Sequence, residues 1–141
     1  MNLEIRPFHS DDEGETIALW HECGLIVPWN DPQHDIALKM QSQPELFLVG
    51  HYDNRLVASA MGGYDGHRGW MYYVAVAPSH QKRGFGRQIV EALLVQLQKI
   101  GCPKANLMVR GSDTQVLAFY EKLGFVPNDV VVLGKHFSTD N

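Results

Sequence analysis

Cysteine is scarce: Cys23 and Cys102 are the two in 141 residues. They are too few and too far apart for a disulfide framework or a cysteine zinc site, so two reduced thiols are expected. The seven histidines include no H-x-x-x-H pair, which leaves metal binding without a motif. No run reaches the roughly 20 apolar residues that a membrane helix needs. The opening Met1-Asn2-Leu3-Glu4-Ile5-Arg6 lacks a signal-peptide pattern, so no membrane partner and a cytoplasmic location are expected. Repeats, a linker and low-complexity tracts are also lacking. Charge of neither sign dominates, with 12 Lys and Arg against 16 Asp and Glu and a formal net charge of -4. That argues against a nucleic-acid partner, which calls for a broad basic face. What remains is an ordinary composition, 45% hydrophobic, in a length suited to one domain spanning residues 1–141.

Within that ordinary composition one stretch stands out. Val74-Ala75-Val76-Ala77 reads as an apolar strand, Pro78 turns the chain, and Gln81-Lys82-Arg83-Gly84-Phe85-Gly86-Arg87 opens a long amphipathic segment. Glycines at 84 and 86 let backbone N–H groups approach a ligand, and a helix starting there offers unpaired N–H groups and its positive dipole end. Lys82, Arg83 and Arg87 add cationic charge, which suits a pyrophosphate better than a single carboxylate. The spacing departs from G-x-G-x-x-G and from G-x-x-x-x-G-K-[ST], which disfavours dinucleotide and P-loop readings.

Around it, Leu3 to Phe8 suits a first strand, and Ser10 with Glu13 reads as a capping box for a helix to about Cys23, ended by Gly24. Prolines at 28 and 32 make the next segment a loop. Asp31 then caps a helix with Pro32 at its first position, running to about Gln43. Glu45 to Tyr52 and Arg55 to Met61 flank an Asp53-Asn54 hairpin turn. A glycine-rich loop from Gly62 to Gly69 leads into the strand Trp70 to Ala77. From Gly84 to Ile100, residues Ile89, Val90, Leu93, Leu94, Leu97 and Ile100 form one apolar face. A strand over Ala105 to Val109, a helix capped by Ser112 or Asp113 and ending at Leu123, and strands near Phe125-Val126 and Val130 to Phe137 complete the chain. The expected class is α+β: a mixed, mostly antiparallel sheet of about seven strands flanked by about four helices.

The order strand, Pro78, Gln81-x-x-Gly84-x-Gly86 and helix resembles the acetyl-coenzyme A signature of the GNAT superfamily of N-acetyltransferases. Phe119-Tyr120-Glu121-Lys122-Leu123-Gly124-Phe125 resembles a second piece of the same family, and the order of elements does so across the chain. The resemblance implies acetyl-coenzyme A as cofactor, its pantetheine arm between splayed strands at Tyr72 to Val76 and Ala105 to Val109. It also implies direct attack by a primary amine of a small molecule, peptide or protein. Residues 81 to 87 would bind the pyrophosphate, with further cofactor contacts at Val74, Ala75, Val76, Asp113 and Tyr120. Backbone N–H groups around Val74 and Val76 would hold the oxyanion, and Tyr120 would protonate the departing thiolate. Two departures stand out. Some relatives place a glutamate where Trp70 stands, and no acid occurs from Trp70 to Ala77; Asp113 occupies a position that is often Asn.

The general base therefore has no residue on the central strand. Asp31, Asp65 and His67 are candidates, and Trp29, Asn30, Asp31, Tyr64, Asp65 and His67 are candidates for the acceptor pocket. Capping by Asp31, packing by Trp29 and an ordinary hairpin loop around Tyr64 explain these residues equally well. A lysine amine of pKa about 10.4 costs about 4.6 kcal/mol to deprotonate at pH 7, an α-amine near 8 about 1.4, so a site without a strong base suits the α-amine. A non-catalytic acyl-coenzyme A sensor is the alternative. Monomer and homodimer are both compatible with the sequence.

Overall fold

A computed structural model describes residues 2–137. The chain divides into two compact parts, Met1–Leu107 and Met108–Asn141.

The first part holds a five-stranded sheet in the order β1-β2-β3-β4-β5. Its elements are β1 (Glu4–Pro7), α1 (Glu13–Glu22), α2 (Pro32–Met40), β2 (Phe47–Tyr52), β3 (Arg55–Tyr64), β4 (Gly69–Val76), α3 (Phe85–Lys99) and β5 (Ala105–Asn106). Strands β1 to β4 pair antiparallel, and β5 joins β4 in parallel, so the sheet is mixed. Asp53 and Asn54 take φ +50 and +61, the left-handed pair a two-residue hairpin needs to match strand twist.

Strand β3 is buried along most of its length, which requires cover on both faces. Successive side chains alternate sides. Ser59 accepts a hydrogen bond from Trp20 of α1, whereas a Cβ on Gly62 would meet Leu93 of α3 at 2.8 Å. Helices α1 and α3 thus sandwich β3. On α3, Ile89, Val90, Leu93 and Leu97 are buried, the 3.6-residue stripe expected of a helix on a sheet.

The count of seven strands is corrected to five among the described residues. Val130 to Phe137 and Phe125-Val126 carry the β-branched residues of strands but form none. A strand needs a partner edge and a face to bury, and Val131 and Leu133 are 83% and 89% exposed. Ala105 to Val109 shortens to two paired residues, Ala105 and Asn106. The loop placed at Gly62 to Gly69 contracts to residues 65–68, because Gly62, Gly63 and Tyr64 continue β3. Glycine there serves the close approach of Leu93, not a turn. The second helix stops at Met40.

The first capping box is also shifted. A 3₁₀ turn over Ser10–Asp12 precedes α1, and Asp12 accepts from His9 N at 2.8 Å in place of a Ser10–Glu13 pair. Asp12 is held further by both Arg6 Nη atoms, at 2.7 and 2.9 Å. The Arg6 hydrogen bond keeps its carboxyl below the usual range although burial opposes this. The native pKa lies below the unfolded value of about 3.9, so this stabilisation is present above about pH 4 and is lost as pH falls through the native value. Asp12→Ala is expected to lower unfolding free energy at pH 7 by about 1.5–3 kcal/mol, the range for hydrogen bonds to charged groups. In urea melts the deficit should shrink below pH 4; a deficit that does not change with pH would contradict the ion-pair origin.

The second part contains α4 (Thr114–Lys122). Asp113 caps it, accepting from Val116 N at 3.2 Å, and Gly124 at φ +93 ends it in the left-handed conformation favoured past helix C-termini. Among the described residues no helix is long and apolar enough to cross a membrane.

Candidate active site

Strand β4 runs directly into the loop that the sequence singles out. Pro78–His80 forms a 3₁₀ turn, Lys82 takes φ +65, and Gly84 at φ +83 is the N-cap of α3. Glycine has no side chain to cap with, so the first N–H groups of α3 have no side-chain acceptor at that position. Among the described residues, and apart from its chain neighbours and the helix's own backbone, no atom lies within 4 Å of where a Gly84 Cβ would be, so the N-cap position of this positive helix end is not packed over. The Gln81 side chain folds back, donating from Nε2 to Val76 O at 3.1 Å, and Cys23 Sγ donates to the same carbonyl at 3.3 Å. The end of β4 and the start of the loop are thereby tied together.

The side chains of the loop divide their tasks. Lys82 is exposed, and Arg83 Nη2 approaches Ser79 O at 3.5 Å. Arg87 pairs with Glu91 at 2.8 Å, which offsets part of the charge expected of it. Phe85 is 1% exposed and packs against Tyr52 and His80 with ring centroids 5.2 and 6.4 Å apart. Its side chain anchors the loop to the core, so only its backbone faces the helix end. This arrangement suits a pyrophosphate held by backbone N–H groups and rimmed by Lys82 and Arg83.

Upstream, β4 is irregular. Ser59 faces Ala75 and Met61 faces Tyr72, so Ala60 stands opposite both Tyr73 and Val74. That is a β-bulge, and Tyr73 sits in it at φ +51, a conformation seldom adopted by a bulky residue. A bulge leaves a residue outside the ladder and bends the strand. On the other edge the β4–β5 ladder ends after Gly69↔Ala105 and Trp70↔Asn106, consistent with that bend. Backbone groups near Val74 are thus released from pairing beside Ala75 and Val76, at the strand segment singled out for oxyanion binding.

Tyr73 is held from three sides. Its ring stacks on Trp20 at 3.8 Å and 13°. Trp20 Nε1 donates to Ser59 Oγ at 2.9 Å, which in turn donates to Tyr73 O at 2.7 Å. At its tip the Tyr73 hydroxyl donates to Asp35 Oδ2 at 2.6 Å and also shares a hydrogen bond with the Asn30 side chain. Burial, then the Asp35 bond, pushes this hydroxyl far above its ordinary range.

The remaining predicted residues are distributed as follows. Trp29 is 55% exposed, Asn30 reaches Tyr73, and Asp31 accepts from His34 N at 3.1 Å as the α2 cap. Tyr64, Asp65 and His67 lie at the opposite end of β4 from the glycine loop. There Asp65 Oδ1 closes the hairpin by accepting from His67 N and Arg68 N, both at 2.8 Å, which holds its carboxyl below the usual range. Such a carboxylate is a weak base. In the second part, Tyr120 is buried, edge-on to Phe119 and Phe125, and burial pushes its hydroxyl up to about 12.

The group of Trp20, Ser59, Tyr73 and Asp35 is not legible from spacing, since Asp35 and Tyr73 are 38 residues apart. The available signal was the doublet Tyr72-Tyr73 in an otherwise apolar strand, two adjacent large aromatics where alternation allows only one to face the core.

Comparisons with known proteins agree with this geometry. The model of the acetyltransferase (GNAT) family matches residues 11–125. An acetyltransferase of Yersinia pestis (strain Pestoides F) is 46% identical over 138 residues, covering 98% of each chain. The PaiA N-acetyltransferase of Thermoplasma acidophilum, solved in complex with coenzyme A, superposes with a TM-score of 0.78 at 18% identity, over 93% of this chain and 94% of that one. The ribosomal-protein-S18-alanine N-acetyltransferase of Escherichia coli gives 0.72 at 23% identity, over 87% and 77%. With the bulged strand, the glycine loop and the uncapped helix in one continuous unit, and a family match over most of the chain, this protein belongs to the acetyltransferase (GNAT) family.

Proposed function

We propose that the protein transfers the acetyl group of acetyl-coenzyme A to a primary amine by direct attack within a ternary complex. The observation that carries this reading is the β4–loop–α3 unit. It puts an interrupted strand and an uncapped helix N-terminus eight residues of chain apart, Val76 to Gly84. When bound, acetyl-coenzyme A supplies an activated acyl thioester. The N–H groups at the start of α3, with Lys82 and Arg83 at the rim, bind its pyrophosphate. A backbone N–H released by the bulge near Val74 stabilises negative charge on the acyl oxygen, a donor of the kind worth about 3 kcal/mol. Tyr120 donates a hydrogen bond to the departing sulfur.

The acceptor follows from the chemistry of the acceptor side. Trp29, Asn30 and Asp31 border it, and a small-molecule or peptide α-amine fits a site whose strand carries no acid. The test is thiol release from acetyl-coenzyme A with free amino acids, spermidine, and short peptides with free N-termini or internal lysines, with blanks for Cys23 and Cys102. Acceptor-dependent release, fastest with an α-amine, is the expected result. Tight coenzyme A binding with no release from any acceptor would contradict the transferase reading.

A further inference from the structure

We infer that Asp35 is the catalytic residue that takes the proton from the attacking amine, and that Tyr73 is the positioning residue that holds it at the bulge. This rests on the transferase reading above and assigns the base that β4 itself lacks. From Trp70 to Ala77 the strand carries no acid. Of the other carboxylates near β4, Asp65 uses one oxygen to close the hairpin turn and Asp31 one to cap α2, and both are exposed. Asp35 differs from them in burial and in being bonded to the bulge residue itself. It lies in the first turn of α2, half-buried, with Oδ2 accepting from Tyr73, and Oδ1 accepts no hydrogen bond among the described residues. One oxygen is fixed and the other is open.

The position of that open oxygen is set by the strand. Tyr73 is the bulge residue next to Val74, where the released backbone N–H would meet the acyl oxygen. Its unusual φ of +51 is maintained by the Trp20 stack below and the Ser59 bond to its carbonyl. The same constraint that opens the ladder therefore aims the phenol outward at Asp35. The carboxylate and the oxyanion donor are built on one residue pair, a single tyrosine side chain apart.

The proton balance follows. The amine binds neutral, which for an α-amine costs about 1.4 kcal/mol at pH 7. A free carboxylate is too weak to deprotonate an ammonium ion, but the nitrogen becomes strongly acidic as its bond to the acyl carbon forms. Asp35 Oδ1 accepts the proton at that stage. The C–S bonding pair leaves on sulfur, which takes its proton from solvent, and Asp35 returns its proton to solvent.

The test uses the amine that the wild-type protein turns over fastest in the panel above. Asp35→Asn keeps the shape and the Tyr73 contact, and its kcat/KM for that amine should fall about 100-fold or more, as for loss of a general base. Its acetyl-coenzyme A Kd should stay within twofold. Asp35→Ala should regain at least tenfold in rate with added formate, while the wild type gains nothing. Tyr73→Phe keeps the ring stack and should lose about tenfold in kcat/KM, again at unchanged acetyl-coenzyme A Kd, and formate should not restore it. Asp35→Asn within threefold of the wild type, or Asp35→Ala folded but unmoved by formate, would overturn the assignment while leaving the transferase intact. A wild type that acetylates no amine would instead remove the transferase and this inference with it.

Discussion

Tyr120→Phe is expected to slow acetyl transfer roughly 100-fold while leaving acetyl-coenzyme A binding within a few-fold. The reasoning starts from where the phenol sits energetically. Burial pushes its hydroxyl up to about 12, so it is protonated throughout the physiological range. A thiol ordinarily titrates near 8.5. Full transfer of the phenol proton to a thiolate would therefore be uphill. The hydroxyl thus serves best as a fixed hydrogen-bond donor to charge developing on sulfur, with net protonation coming from water. A preorganised donor removed from a catalytic site costs 10²–10³ in rate. Because the group stays protonated across the physiological range, the ratio of wild-type to mutant rates should be flat between about pH 6 and 9. The raised pKa also fixes a sign for stability: the protonated phenol's contribution is present below about pH 10 and is lost as pH climbs through 12. A mutant rate within threefold of the wild type would remove Tyr120 from the reaction.

Trp20→Ala should be the most destabilising single change in the core, at about 3–5 kcal/mol. Trp20 is 0% exposed, stacks on Tyr73 at 3.8 Å and contacts Phe47 at 6.1 Å. The large-to-small cavity is only part of the cost. Ser59, also fully buried, loses its donor while keeping its own bond to Tyr73 O, which adds about 0.5–1.5 kcal/mol, the net worth of one hydrogen bond. Trp20→Phe separates the two terms: it retains most of the ring contact and gives up the Nε1 bond, so it should fall well short of the alanine loss. Chemical denaturation of both variants measures this. A Trp20→Ala loss under about 1 kcal/mol would mean that the tryptophan does not hold the bulge.

What the sequence made legible was local chemistry. Asp31 and Asp113 cap helices, with Pro32 at a first helical position. The Asp53-Asn54 hairpin and the Gln81-to-Gly86 loop form from contiguous residues whose backbone demands are strong. Long-range choices were hidden. Gly62 and Gly63 read as turn residues because Gly62's role as a gap for Leu93 is visible only once α3 is packed on β3. Val130 to Leu133 read as a strand because β propensity says nothing about whether an edge is there to receive it. At the site, the phosphate loop was legible because it is one segment. Asp35 and Tyr73 were not, because nothing in a sequence separation of 38 residues signals that a bulge will turn one toward the other.

The left-handed bulge residue has a consequence for how this chain can vary. An aromatic at φ +51 is tolerated only while Trp20 supports its ring, and it is useful only while Asp35 receives its hydroxyl. A change at any one of the three removes the reason for the other two. Contacting residues of this kind couple by about 0.5–3 kcal/mol, so Trp20 with Tyr73 and Tyr73 with Asp35 are expected to form one inherited character spread over three codons, in which a change at one position alters the cost of a change at its neighbour.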